Sequence, residues 1–129
     1  MIVLDASALL AFLGEESDGD KVPAFFSIAL MSTLNLAEVL SKSAERGADP
    51  FAIADTLLKS PITFVEFSAG QALAAATLRP RTKAQGLSLG DRACFALAIE
   101  RDCAVLTTDS IWTKVSVGVQ VRLLRDSQS

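Results

Sequence analysis

The chain has 129 residues, half of them hydrophobic, with two cysteines, no histidine and a net charge of −3. That length can bury a substantial core without disulfide or metal staples and predicts one domain, residues 1–129. The missing histidine excludes Ser-His-Asp and Cys-His nucleophilic catalysis, imidazole acid–base work and HExxH zinc sites together, so hydrolysis here must rely on carboxylates, hydroxyls, Lys or Arg.

A carboxylate-based hydrolase points to hard cations with oxygen ligands, Mg²⁺ or Mn²⁺. Mean hydropathy is +0.39, yet the apolar runs are short and none approaches the roughly 20 residues that span a bilayer. Met1 leads straight into Ile2-Val3-Leu4-Asp5 without a basic leader segment. A cytoplasmic chain with no membrane partner is therefore expected. Cys94 and Cys103 match no metal-finger spacing and read as reduced core residues. The surplus of apolar residues suggests a surface buried by a partner.

Ile2-Val3-Leu4 reads as a strand ending at Asp5, and Ser7 to Leu13 as a helix. Gly14 to Asp20 is an acidic turn, followed by an amphipathic stretch to about Leu30 that contains Phe25 and Phe26. Leu30–Leu34 reads as a strand, and Asn35 opens a helix closed at Gly47, a residue suited to a left-handed cap. Asp49-Pro50 starts the next helix, which runs to about Lys59. Ile62–Phe67 reads as a strand, and Ser68 caps a helix that Arg79-Pro80 ends. A polar loop to Gly86 follows, then a helix from Ser88 to about Arg101. Ala104-Val105-Leu106 and Gly118–Leu124 complete the strands. Short apolar strands alternating with helices predict an α/β fold, a three-layer α/β/α domain around a central parallel sheet.

In such a sheet the positions just after strands lie along the carboxyl edge, where open α/β folds bind ligands. Asp5, Glu38 and Asp109 occupy such positions, and the loop before Asp91 can bring it to the same edge. Four carboxylates held together repel unless a cation sits among them. Each acid also makes sense alone as helix-terminus chemistry. Asn35-x-x-Glu38 and Ser88-x-x-Asp91 resemble capping boxes, and Asp5 and Asp109 can each cap the helix or turn on their C-terminal side. The residues leave both readings open, and both can hold at once. Residues 79–92 carry Arg79, Arg81, Lys83 and Arg92 against Asp91 alone, a net +3 that leaves −6 on the remainder. That strip beside an acidic cluster is a candidate phosphate-handling surface or a solvated loop.

The series Val3-Leu4-Asp5-Ala6-Ser7-Ala8-Leu9-Leu10, Ser32-Thr33-Leu34-Asn35-Leu36-Ala37-Glu38-Val39, Leu87-Ser88-Leu89-Gly90-Asp91-Arg92-Ala93 and Val105-Leu106-Thr107-Thr108-Asp109 resembles a PIN domain, in particular the VapC toxins of bacterial toxin–antitoxin pairs. The resemblance spans nearly the whole chain. It implies a metal-dependent endoribonuclease that cleaves transfer or ribosomal RNA and so inhibits translation. It implies Asp5, Glu38, Asp91 and Asp109 as the metal-binding quartet, with Ser7 and Thr107 as supporting hydroxyls. It also implies an antitoxin partner lying near the site and a homodimer. Trp112 matches an aromatic place in the pattern, though core packing explains it as well. Cleavage is expected to leave a 5′-phosphate and a 3′-hydroxyl.

Three rival readings are weaker. A phosphoacceptor receiver needs paired acids after the first strand, but Asp5 has Leu4 and Ala6 as neighbours. A haloacid-dehalogenase-like phosphatase needs an acid where Ser7 stands. A non-catalytic interaction protein on the same fold is the reading the sequence excludes least firmly, and the presence of all four acids argues against it.

Overall fold

The computed structural model describes residues 1–128. Five parallel strands form one sheet in the order β3-β2-β1-β4-β5: β1 Ile2–Leu4, β2 Ala29–Ser32, β3 Thr63–Val65, β4 Ala104–Thr107 and β5 Val121–Leu123. The helices are α1 Ala6–Leu13, α2 Thr33–Glu45, α3 Pro50–Leu58, α4 Ala69–Thr77, the short α5 Arg79–Thr82 and α6 Leu89–Arg101. This is the expected α/β/α arrangement.

Period-two alternation along each strand divides the core into two layers. Ile2, Leu4, Ala29, Met31 and Leu106 pack with Leu9 of α1, Val39 of α2 and Leu57 of α3. Val3, Leu30 and Val105 face the other way, against Ala75 of α4 and Phe95 and Leu97 of α6. With both faces covered, β1 and β2 are buried along their whole length, and their one polar residue, Ser32, ends β2. Helix α6 is buried from Ala93 through Ala98. A helix apolar on nearly every side is one enclosed by neighbours, and α6 packs on both the sheet and α4. Trp112 belongs to this layer, with its ring 4.8 Å from that of Phe95, so core packing accounts for it. Cys94 is a buried free thiol and Cys103 a half-buried one.

Several boundaries differ from the sequence reading. The second strand ends at Ser32, whose Oγ accepts from the Leu34 amide 3.2 Å away and caps α2. Helix α2 therefore starts two residues before Asn35, and Asn35-x-x-Glu38 is not a capping box but a pair inside the helix. The expected strand at Ile62–Phe67 is only Thr63–Val65, and the last strand only Val121–Leu123. The amphipathic stretch expected after Asp20 is a run of 3₁₀ helix that starts earlier, Gly19–Ile28. Residues 79–85, read as a polar loop, are helical: Pro80 sits in the first turn of α5, where its missing N–H costs nothing.

The strand order places the site. The chain leaves β1 for β2 and β3 on one side, then returns through α4–α6 to lay β4 on the other side of β1. The switch point between β1 and β4 opens a crevice at their carboxyl ends. No helix among the described residues is long and apolar enough to cross a membrane.

Candidate active site

Asp5 is the residue at that crevice. It follows β1 directly, its amide donates to the Leu106 carbonyl at the end of β4, and its side chain is only 5% exposed. Two hydroxyls hold one carboxylate oxygen. Ser7 Oγ donates to Asp5 Oδ2 at 2.6 Å and Thr107 Oγ1 donates to the same atom at 2.8 Å, across 102 residues of chain. Each hydroxyl also accepts from the backbone of the next loop: Ser7 Oγ from the Thr108 amide and Thr107 Oγ1 from the Asp109 amide. The strand ends, the start of α1 and the Thr108-Asp109 turn are thus joined through Asp5. Burial raises the Asp5 pKa to about 6, against the lowering effect of the two hydroxyls, and the charges of Asp91 and Glu38 add to the rise.

The other acids come from helix-associated positions. Glu38 lies in the second turn of α2, and its Oε1 accepts from Asn35 Nδ2 at 2.7 Å. Asp91 forms a true capping box with Ser88: the Asp91 amide donates to Ser88 Oγ at 3.2 Å, and the Ser88 amide donates to Asp91 Oδ2 at 3.0 Å. Asp109 caps the 3₁₀ turn Ser110–Lys114, its Oδ1 accepting from the Ile111 amide. The capping reading is therefore correct for Asp91 and Asp109, and it does not remove them from the site. All four acids, with Ser7, line one cleft of about 290 Å³.

Among the described residues no three acids stand close enough to cage an ion by themselves. Each of the other three carboxylates already accepts from an amide. The donor set nonetheless fits a hard divalent cation in its chemistry, because it is all carboxylate oxygen around an open cleft. Such an ion would complete its shell from water and substrate, as Mg²⁺ commonly does.

A model of the PIN-domain family matches residues 2–118. The chain belongs to the PIN-domain family. That result displaces the receiver-like and phosphatase readings. Several solved structures share its fold. VapC20 of Mycobacterium tuberculosis, described as a sarcin–ricin-loop-cleaving toxin, superposes with a TM-score of 0.74 at 16% identity, covering 93% of this chain and 99% of that one. The Rickettsia felis VapBC2 complex bound to promoter DNA gives 0.70 at 18% identity, over 95% and 98%. FitAcB of Neisseria gonorrhoeae gives 0.66 at 19%, over 94% and 96%. Among curated proteins none matches the chain.

Two residues of this PIN domain that the sequence reading did not place in the site support the acids. Asn35 is fully buried and donates through one Nδ2 to both Glu38 Oε1 and the Gly90 carbonyl, the latter at 3.0 Å. It ties α2 to the first turn of α6, and so Glu38 to Asp91. Its amide must point this way, since the reversed orientation would set an oxygen against two acceptors. Gly90 allows the approach, because a Cβ there would overlap the Glu38 carboxylate. Lys42, Arg46 and Glu16 also line the cleft. The basic strip does not. Arg79, Arg81 and Arg92 donate to the carbonyls of Leu87, Ser116 and Ala75, and neither they nor Lys83 line the acidic cleft.

Proposed function

We propose that this chain is a Mg²⁺- or Mn²⁺-dependent endoribonuclease that acts as the toxin of a toxin–antitoxin pair, cleaving structured transfer or ribosomal RNA and thereby blocking translation in the cytoplasm. The observation that carries the reading is the convergence of Asp5, Glu38, Asp91 and Asp109 on one cleft at the β1/β4 switch point. The fold shared with VapC20 and with VapBC complexes supports the choice of RNA and of a toxin role.

When bound, the divalent ion would supply Lewis acidity and neutralise charge on the scissile phosphate. Asp5 and Asp91 would hold it directly, and Glu38 and Asp109 partly through water. The chain's own residues prepare that site. Ser7 and Thr107 donate to Asp5 Oδ2 and fix the carboxylate's orientation, so that Oδ1 is the oxygen that would be left for an ion. Asn35 holds Glu38 Oε1 and leaves Oε2 free for a water or for the ion. In-line attack on the phosphodiester would release a 5′-phosphate and a 3′-hydroxyl. Arg79, Arg81, Lys83 and Arg92 would reach RNA only where it extends beyond the cleft.

The antitoxin would use the groove of about 610 Å³ beside the site, where Phe12 and Leu13 are flanked by Glu15, Glu16 and Asp20. An apolar floor with an acidic rim suits an amphipathic segment carrying basic residues. Phe51 and Leu58, exposed and two turns apart on α3, offer a surface for a second copy. Strictly monomeric sedimentation at high concentration would remove the homodimer from this reading.

The decisive experiment is cleavage of a labelled structured RNA by the purified chain, with Mn²⁺ and with EDTA, alongside Asp5→Asn. Cleavage should require the metal and vanish in the folded variant, and the mapped ends should carry 5′-phosphates. Full activity of folded Asp5→Asn, or cleavage indifferent to EDTA, refutes the proposal.

A further inference from the structure

A cleft of four carboxylates repels the polyanion it is supposed to cut, so the substrate must be drawn in by cations nearby. Of the twelve Lys and Arg side chains, only Lys42 and Arg46 line that cleft among the described residues. Most others are committed elsewhere. Arg79, Arg81 and Arg92 donate to carbonyls, Lys59 pairs with Asp55, and Arg122 lies over the Phe25 ring. Both cleft cations are exposed, and Lys42 forms no ion pair among the described residues.

Their spacing follows from α2. Glu38, Lys42 and the C-cap Arg46 succeed one another at intervals of four residues along α2 and its end, so they follow one side of the helix with a rise of about 6 Å per step. That step is close to the separation of successive phosphates in an extended strand. A phosphodiester at Glu38 therefore brings its neighbours past Lys42 and Arg46 in turn. Cations near a helix C-terminus also favour the macrodipole, but the dipole does not require them to face the cleft.

Arg46 is already answered by an anion. Its Nη1 lies 3.6 Å from Glu16 Oε2, with the two side chains 57% and 52% exposed. Glu16 is held there by its backbone: its amide donates to the Ala11 carbonyl at 2.8 Å, and the turn before it passes through Glu15 at φ +52°. A single long contact between exposed groups is weak and easily exchanged, whereas a phosphate can take a guanidinium through two parallel hydrogen bonds.

We propose that Lys42 and Arg46 form the track along which the RNA backbone enters the acidic cleft, and that Glu16 occupies Arg46 until a phosphate displaces it. The track rests on the ribonuclease reading above. It is tested with the Asp5→Asn chain, which binds without cutting, and a fluorescent single-stranded RNA, by anisotropy across a potassium chloride series at fixed low Mg²⁺. Adding Lys42→Gln and Arg46→Gln together should weaken binding at least tenfold at low salt. The slope of log affinity against log salt should become shallower by about 1.4, roughly 0.7 for each lost phosphate contact on a single strand. Glu16→Gln should tighten binding severalfold at low salt and hardly at all at high salt. An unchanged slope in the double variant overturns the track while metal-dependent cleavage by the wild type keeps the ribonuclease reading. Glu16→Gln binding no tighter than its parent overturns the displacement. RNA neither bound by Asp5→Asn nor cut by the wild type overturns track and reading together.

Discussion

The two walls of the cleft hold their carboxylates in opposite ways. On the β1/β4 wall, Asp5 is nearly enclosed, and two hydroxyls from distant parts of the chain meet on one of its oxygens. On the α2/α6 wall, Glu38 and Asp91 are half-exposed and depend on the first turns of helices, with Asn35 as the bridge between them. Enclosure fixes a geometry at the cost of desolvating a charge. Helix ends fix it less tightly and leave the charge wet. On the proposed nuclease reading, the contrast makes Asp5 the rigid reference of the site and the helix wall the side that would adjust to an ion and a substrate.

The largest expected effect tests the enclosed wall. The folded pKa of Asp5 is raised from 3.8 to about 6, so between those values the folded chain keeps a proton that the unfolded chain has released. Stability therefore falls as pH rises through that window, and above it the penalty is complete. At 1.36 kcal/mol per unit, the penalty is about 3 kcal/mol without divalent cations. Urea melts in EDTA should show the wild type losing about that much between pH 4 and 7, while Asp5→Asn loses far less over the same range. Mg²⁺ should restore much of it to the wild type at pH 7 and little at pH 4. Parallel pH profiles for the two chains would show that Asp5 is not held as an enclosed charge.

A smaller effect breaks the helix wall without touching a charge. Gly90→Ala puts a methyl where the Glu38 carboxylate lies. The end of a glutamate can swing aside, so the fold should lose no more than about 1–2 kcal/mol. The displaced carboxylate leaves Asn35, and cleavage should fall roughly ten- to a hundredfold, or about 1.4–2.7 kcal/mol of transition-state stabilisation. Steady-state kinetics at saturating Mn²⁺ checks this. Unimpaired cleavage would mean that Glu38 has no positional demand, and the contrast between the walls would lose its second half.

The division between walls also marks what can be read from residue order. Asp5, Glu38, Asp91 and Asp109 are legible because each follows an apolar strand or opens a helix, and the sheet then carries them to one edge. Ser7 and Thr107 are legible only through the family resemblance, whose small hydroxyl positions they match. Asn35 is visible only as a cap, because a strand read over Leu30–Leu34 runs two residues too far and absorbs the true cap, Ser32. Gly90 carries no local signal, since what it avoids is a side chain 52 residues earlier. Lys42 and Arg46 have a signal in their four-residue steps after Glu38. The denser cluster at 79–92 outweighs it in composition, and the carbonyls that engage Arg79, Arg81 and Arg92 come from contacts that composition does not reveal.

The smallest change in stability separates two duties of one residue. Asp91 is both the N3 partner of a capping box and a proposed ligand, so substitutions at Ser88 and Asp91 should divide stability from activity. Ser88→Ala removes the hydroxyl that accepts from the Asp91 amide but keeps the Ser88 amide that holds Asp91 Oδ2. It should cost about 1 kcal/mol in a thermal or urea melt and change cleavage only a few-fold. Asp91→Asn keeps an oxygen able to accept from the Ser88 amide and gives up only the favourable charge at the helix N-terminus, so its stability should fall by about 0.3–1 kcal/mol. Its cleavage should nonetheless disappear, because a neutral amide cannot replace a carboxylate beside a divalent ion. If Asp91→Asn cleaves like the wild type, the residue is a cap and nothing more. The cleft then has three working acids, and the α6 end of the helix wall is scaffold.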